Sequence, residues 1–153
     1  MDDIARSVQV GMIMREILFR GKRTDNGEWV EGNLVLSPNA DEGYQSIVIP
    51  CYYNYMYTSD YNNDVGFETW YKVESETVGQ FTGLKDMNGK TIFEGDIVKV
   101  PYFKISFEVK FVKERARFLG EAHNGELISL LHSHKDIEII GNIWDNPELL
   151  KGE

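Results

Sequence analysis

The side chains best suited to chemistry in this sequence are acidic. Asp86, Glu94 and Asp96 fall close together in GLKDMNGKTIFEGDIVKV (Gly83–Val100), and Asp60 and Asp64 form a looser pair upstream. Paired carboxylates perform general acid–base work when their surroundings push their pKa values apart. Turns recruit the same residues, because a short acidic side chain accepts hydrogen bonds from nearby backbone N–H groups. The histidines pose a parallel choice. In HSH, His132 and His134 would stand on one face of a strand, with Asp136 and His123 close in sequence. Imidazoles two residues apart suit a transition metal, but a closed zinc site takes four ligands and Cys51 is the lone thiol. A solvated turn accounts for the histidines more simply. A buried, inert side chain does the same for Cys51. The sequence contains no GxxxxGK[ST] phosphate loop and no dinucleotide fingerprint, and it suggests no Ser-His-Asp or Cys-His pairing. The expectation is a non-enzyme with no catalytic residues, no metal and no cofactor.

Two further clusters suit binding. KFVKERAR carries Lys110, Lys113, Arg115 and Arg117, with Phe111 inside it and Phe118 just after it. Cations interleaved with aromatics can follow a nucleic-acid backbone and stack its bases. Against this, Glu114 neutralises part of the stripe, and the whole chain carries a net charge of -9. That charge argues against a general nucleic-acid binder, and the 16 basic residues dilute the field a DNA mimic would need. CYYNYMY concentrates Tyr52, Tyr53, Tyr55 and Tyr57. Tyrosine offers contact area together with a hydroxyl and is favoured at interfaces, although a strand with one face in the core would read alike. The leading expectation is a module that binds an unknown protein partner, or itself, through these tyrosines. A nucleic-acid-associated module using Lys110, Lys113, Arg115 and Arg117 is the alternative.

The elements that must carry these residues are mostly strands. FETWYKV sets Phe67, Thr69, Tyr71 and Val73 against Glu68, Trp70 and Lys72, and FEVKFV alternates in the same way. QSIVIP and IEIIGNIW are denser apolar runs that suit strands covered on both faces. Asn26-Gly27, Asn88-Gly89 and Asn124-Gly125 predict hairpins with type I′ turns. In the opening stretch, Asn88-Gly89 reverses the chain, KTIFEG runs as a short arm, Gly95 and Asp96 make a corner, and IVKV follows as a strand that Pro101 ends. Helix is expected only at the ends: behind the acidic start of DDIARSVQVGMI, and in DNPELL, with Asn146 capping and Pro147 at the first helical position.

Length and composition bound the rest. A chain of 153 residues that is 42% hydrophobic can bury a real core in one domain or two small ones. The uncharged run Gly43–Ser59 is too short and too polar to span a membrane. The single cysteine and the acidic start, which lacks a signal-peptide pattern, suggest a cytoplasmic protein.

Three stretches carry a resemblance to a known family. MREILFRG (Met14–Gly21), VGQFTGLKDMNGKTIFEGDIVKV (Val78–Val100) and IEIIGNIWDNPELL (Ile137–Leu150) resemble the YopX family of phage and prophage proteins, in the family's order. The resemblance implies a phage-encoded accessory protein acting in the bacterial host cytoplasm. It implies a mainly β fold with an SH3-like small barrel; together with the residue pattern the expectation is that barrel plus additional β-strands, with short helices near the termini. The family has no established activity, so no catalytic residues carry over. Its members begin at a position like Met14, which sets residues 1–13 apart as an N-terminal extension. The remainder is expected to divide into a β subdomain at 14–76 and a barrel-like subdomain at 77–153.

Overall fold

The computed structural model describes residues 16–37, 45–49, 56–58, 65–67, 69–130 and 135–150. Local alternation and short turns build antiparallel strands throughout them. These are β1 (Phe19–Lys22), β2 (Trp29–Ser37), β3 (Gln45–Ile49), β4 (Met56–Thr58), β5 (Val65–Phe67), β6 (Tyr71–Val73) and β7 (Gly79–Lys85). They continue with β8 (Thr91–Phe93), β9 (Asp96–Lys99), β10 (Ser106–Val112), β11 (Arg117–Glu121), β12 (Leu127–Ser129) and β13 (Glu138–Asn142). Six strands form one sheet in the order β6-β3-β2-β1-β7-β8, five form a second in the order β12-β11-β10-β9-β13, and β4 pairs with β5. The fold is thus mainly β, as expected. The second sheet is open rather than closed into a barrel.

Several local expectations need correction. The Asn-Gly turns exist, but they are not type I′, which requires positive φ at both central residues. Among the described residues Ala116 is the only non-glycine with positive φ, so the three asparagines do not qualify. In all three the glycine alone is left-handed, and in two of them it closes the turn: Gly89 donates to the Asp86 carbonyl and Gly125 to that of Ala122. Asp86 and Ala122 then bond across to Lys90 and Glu126, giving three-residue loops with a glycine bulge. FETWYKV is not one strand, since β5 stops at Phe67 and β6 starts at Tyr71, leaving Trp70 exposed. IEIIGNIW supplies β13, an edge strand rather than one covered on both faces, and Ile139 and Ile140 are only partly buried. At the C-terminal end, Pro147 does begin a 3-10 turn, Pro147–Leu150, with Leu149 N–H donating to the Asn146 carbonyl. The expected N-terminal helix lies outside the described residues.

The core belongs chiefly to the second sheet. Val98, Val100, Phe107, Val109, Ile128, Leu130 and Ile137 pack together there with Ile92 of β8. β7 and β8 join the first sheet through β1, so that sheet runs across the division expected near residue 76. The two sheets are sewn together at Glu94-Gly95, where the chain leaves β8 and enters β9. Glu94 N–H donates to the Gln80 carbonyl in the first sheet. One residue later, Gly95 donates to Val109 and accepts from Ile143 in the second. The Glu94 carboxylate repeats the link by accepting from Gln80 N–H (3.2 Å) and Phe111 N–H (3.2 Å).

Gly95 must be glycine for two independent reasons. Its φ is +78°, and a Cβ there would lie 2.2 Å from the Trp144 ring. Gly95→Ala is therefore expected to cost about 2–5 kcal/mol, adding left-handed strain to overpacking. Gly125→Ala has similar φ but open space, and it should cost only about 1–2 kcal/mol. Urea denaturation of both variants checks this; equal losses would show that the Trp144 contact contributes nothing.

Candidate functional site

An apolar opening lies between β7 and the far ends of β10, β11 and β12. Its cause is a difference in strand length. β10 pairs with β9 only over Ser106–Glu108, whereas it pairs with β11 over Glu108–Val112. The last residues of β10 therefore overhang their neighbour, and Phe111, which continues the buried series of Phe107 and Val109, emerges 44% exposed. Phe118 sits directly opposite it in register, and the rings meet edge to face at 5.2 Å. A 3-10 turn at Lys113–Arg115 joins the two strands, and Ala116 closes it with a left-handed φ of 49°. The resulting groove of about 210 Å³ is lined by Thr82, Leu84, Phe111, Ala116, Arg117, Phe118, Ser129 and Leu130. It is smaller than the roughly 300–1,000 Å³ clefts that enclose small-molecule ligands. It is open to solvent and suits a protruding side chain better than a metabolite.

The three carboxylates singled out by sequence are occupied by backbone or by a cation. Asp86 is buried. Its Oδ1 accepts from Asn88 N–H (2.9 Å) and Lys90 N–H (2.9 Å), and its Oδ2 accepts from Ile139 N–H (3.1 Å). Burial pushes this carboxyl up, but the three N–H donors outweigh it and hold the group below the usual range. Met87 N–H donates to the Ile137 carbonyl, so the same loop tethers the start of edge strand β13. Glu94 bridges the sheets as described above. Asp96, 1% exposed, accepts from Phe93 N–H (2.8 Å) and pairs with Arg20 (2.6 Å). Burial pushes Asp96 up, and Arg20 and the Phe93 N–H oppose that without cancelling it.

Arg20 had no sequence signal. It lies on β1, 8% exposed, with Nη2 donating to the Glu94 carbonyl (3.1 Å). Its guanidinium stands 4.8 Å from the Trp29 ring centroid and 5.1 Å from that of Phe93. Trp144 packs beside Trp29 at 5.4 Å. Asp145 then accepts from Lys22 Nζ (2.5 Å), Trp29 Nε1 (2.7 Å) and Asn142 Nδ2 (3.0 Å). Lys22 and Trp29 are partners in the β1–β2 register, so one carboxylate grips both strands. Hydrogen bonds from Lys22, Asn142 and Trp29, in that order, lower the Asp145 carboxyl to about 2.

The other sequence candidates scatter. Tyr52, Tyr53 and Tyr55 lie outside the described residues, and so do Cys51, Asp60, Asp64, His132 and His134. Tyr57 lies on β4. Lys110 is held between Glu108 (3.1 Å) and Glu121 (2.8 Å), so its charge is already matched. Lys113 and Arg115 stand exposed on the 3-10 turn, and Arg117 lines the groove. His123 and Asp136 are exposed. Among the described residues, no group of three or more His, Cys, Asp or Glu side chains could hold a metal ion. Also among them, no helix is long and apolar enough to cross a membrane.

The family model described as YopX protein matches residues 18–151. No curated protein matches the chain. The crystal structure of protein EF1440 from Enterococcus faecalis is similar over 90% of this chain and 99% of that one, with 25% identity and a TM-score of 0.55.

The depressed Asp145 carboxyl makes a pH prediction. Its folded value of about 2 lies below that of an unfolded aspartate, near 3.9. Its contribution is therefore present above about pH 4 and is lost as pH falls toward 2. Asp145→Asn keeps an oxygen acceptor for Trp29 and removes the charge. Thermal unfolding between about pH 5 and 2 should fall less steeply for this variant than for the wild-type chain; parallel curves would mean the carboxylate carries no linkage.

Proposed function

The chain belongs to the YopX family, and we propose that it is a non-enzymatic phage or prophage accessory module that docks a protein partner in the groove beside Phe111. One observation carries the reading: an apolar, side-chain-sized opening stands on a rigid two-sheet frame, with Phe111 presented at its mouth. A large apolar residue exposed at the rim of a concave site resembles the anchor contacts that dominate protein interfaces. The frame suits this role, since β10 and β11 are fixed by the core beneath them and need little ordering on binding. We read the second sheet as the SH3-like part of the family fold. Its strands β9 to β12 follow one another as a meander, and β13 returns beside β9. On residue type alone, we propose Tyr52, Tyr53, Tyr55 and Tyr57 as a second contact for the partner or for self-association.

The test is a selection of random displayed peptides against the whole chain, followed by binding measurements on Phe111→Ser. Phe111 is 44% exposed but packs on Phe118, so the substitution should lower the melting temperature by a few degrees without unfolding the chain. Enriched peptides are expected to share an apolar side chain and to lose about tenfold or more in affinity for the variant. Peptides that bind wild type and variant alike would overturn the assignment of the groove.

A further inference from the structure

Resting on that reading of the groove, we propose that its occupant is an acidic segment of a partner protein that inserts an apolar side chain beside Phe111, Leu84 and Leu130. The warrant is the charge of the wall. Lys113, Arg115 and Arg117 are exposed on the turn and strand that form one side of the opening, and Glu114 is the one carboxylate between them. Among the described residues none of the three takes part in an ion pair, whereas Arg20, Lys22, Arg23 and Lys110 each face a carboxylate. In a chain of net charge -9, this wall is a local excess of positive charge next to apolar surface.

Exposed charge contacts are individually weak, so the cations choose the partner and speed its approach while the apolar anchor supplies affinity. A cationic segment is repelled, and a neutral one forgoes the steering. Nucleic acid fits less well. Phe111 and Phe118 meet edge to face, so one ring of the pair has a face covered that a base would need for stacking. Polyanion binding also grows with the number of phosphates neutralised, and an isolated trio of cations on an acidic chain neutralises few.

The experiment is fluorescence anisotropy on the full chain with three labelled probes. These are a short peptide with a central phenylalanine flanked by aspartates, the same peptide with serines replacing the aspartates, and oligothymidine. At low salt the acidic peptide should bind about tenfold more tightly than the serine peptide. The combined variant Lys113→Glu, Arg115→Glu should remove most of that advantage; neither residue lines the groove, so it should bind the serine peptide as wild type does. If the two peptides bind wild type equally and both are weakened by Phe111→Ser, the acidic assignment is wrong and the groove stands. If neither peptide binds, or Phe111→Ser weakens neither, the groove and its occupant fall together. Oligothymidine that binds more tightly than the acidic peptide and displaces it would replace the proposal with a nucleic-acid site.

Discussion

The structure depends on one buried ion pair. Arg20 enters from the first sheet and Asp96 from the second, and neither has appreciable access to water. Placing two charges in an interior costs several kcal/mol per ion after relaxation, and attraction repays it only where geometry is good and the remaining hydrogen-bonding groups are met. Most of those conditions hold here. Asp96 takes the Phe93 N–H, Arg20 gives Nη2 to the Glu94 carbonyl, and aromatic rings from Trp29 and Phe93 cover the guanidinium. Arg20 Nε alone is buried without a partner. Losing either member would strand the other charge, a penalty of about 3–5 kcal/mol. The pair thus ties the two sheets in the relation that brings these groups together, whatever its net contribution to stability.

Other contacts at the junction enforce the same relation. Trp144 reaches the surface of Gly95 because no side chain intervenes, and Asp145 next to it closes on Lys22 and Trp29. The turn presenting both is held by Asn142, whose Oδ1 accepts from Trp144 N–H and Asp145 N–H. Arg20, the Glu94-Gly95-Asp96 corner and the Trp144-Asp145 pair come from the three separate stretches by which the chain resembles its family. Those stretches converge on one place. In this chain the residues they bring there hold the two sheets together.

Local signals were readable in the sequence wherever a residue's role was set by its near neighbours. Asp96 was legible as a corner acceptor because Phe93 is three residues away, and Gly95 because a tight corner needs positive φ. The alternation of Phe107 and Val109 marked the buried face of β10. What could not be read depended on distant pairing. Arg20 and Asp96 lie far apart in the chain, and nothing in the local pattern around Arg20 distinguishes it from a surface arginine on an alternating strand. The groove was hidden for a similar reason. Phe111 continues the buried period perfectly, and only the early end of β9 beside it leaves the ring uncovered. Turn type failed on finer grounds, since Asn-Gly fits both the I′ turn and the type I turn with a glycine bulge, and loop length decides between them.

The same overhang keeps the proposed docking groove separable from the scaffold. The Arg20–Asp96 junction and the groove share Glu94, whose backbone carbonyl holds Arg20 and whose carboxylate accepts the N–H of Phe111. The frame therefore fixes the backbone of the residue at the mouth of the groove, while that residue's side chain stays outside the core. A substitution of the Phe111 ring leaves this N–H in place and the junction intact. A change at Glu94 or Arg20 would reach the groove only by loosening the sheets. The frame and the groove we propose as a docking site thus meet at a backbone amide rather than at a side chain, an arrangement in which the groove's side chains can vary without the fold having to change.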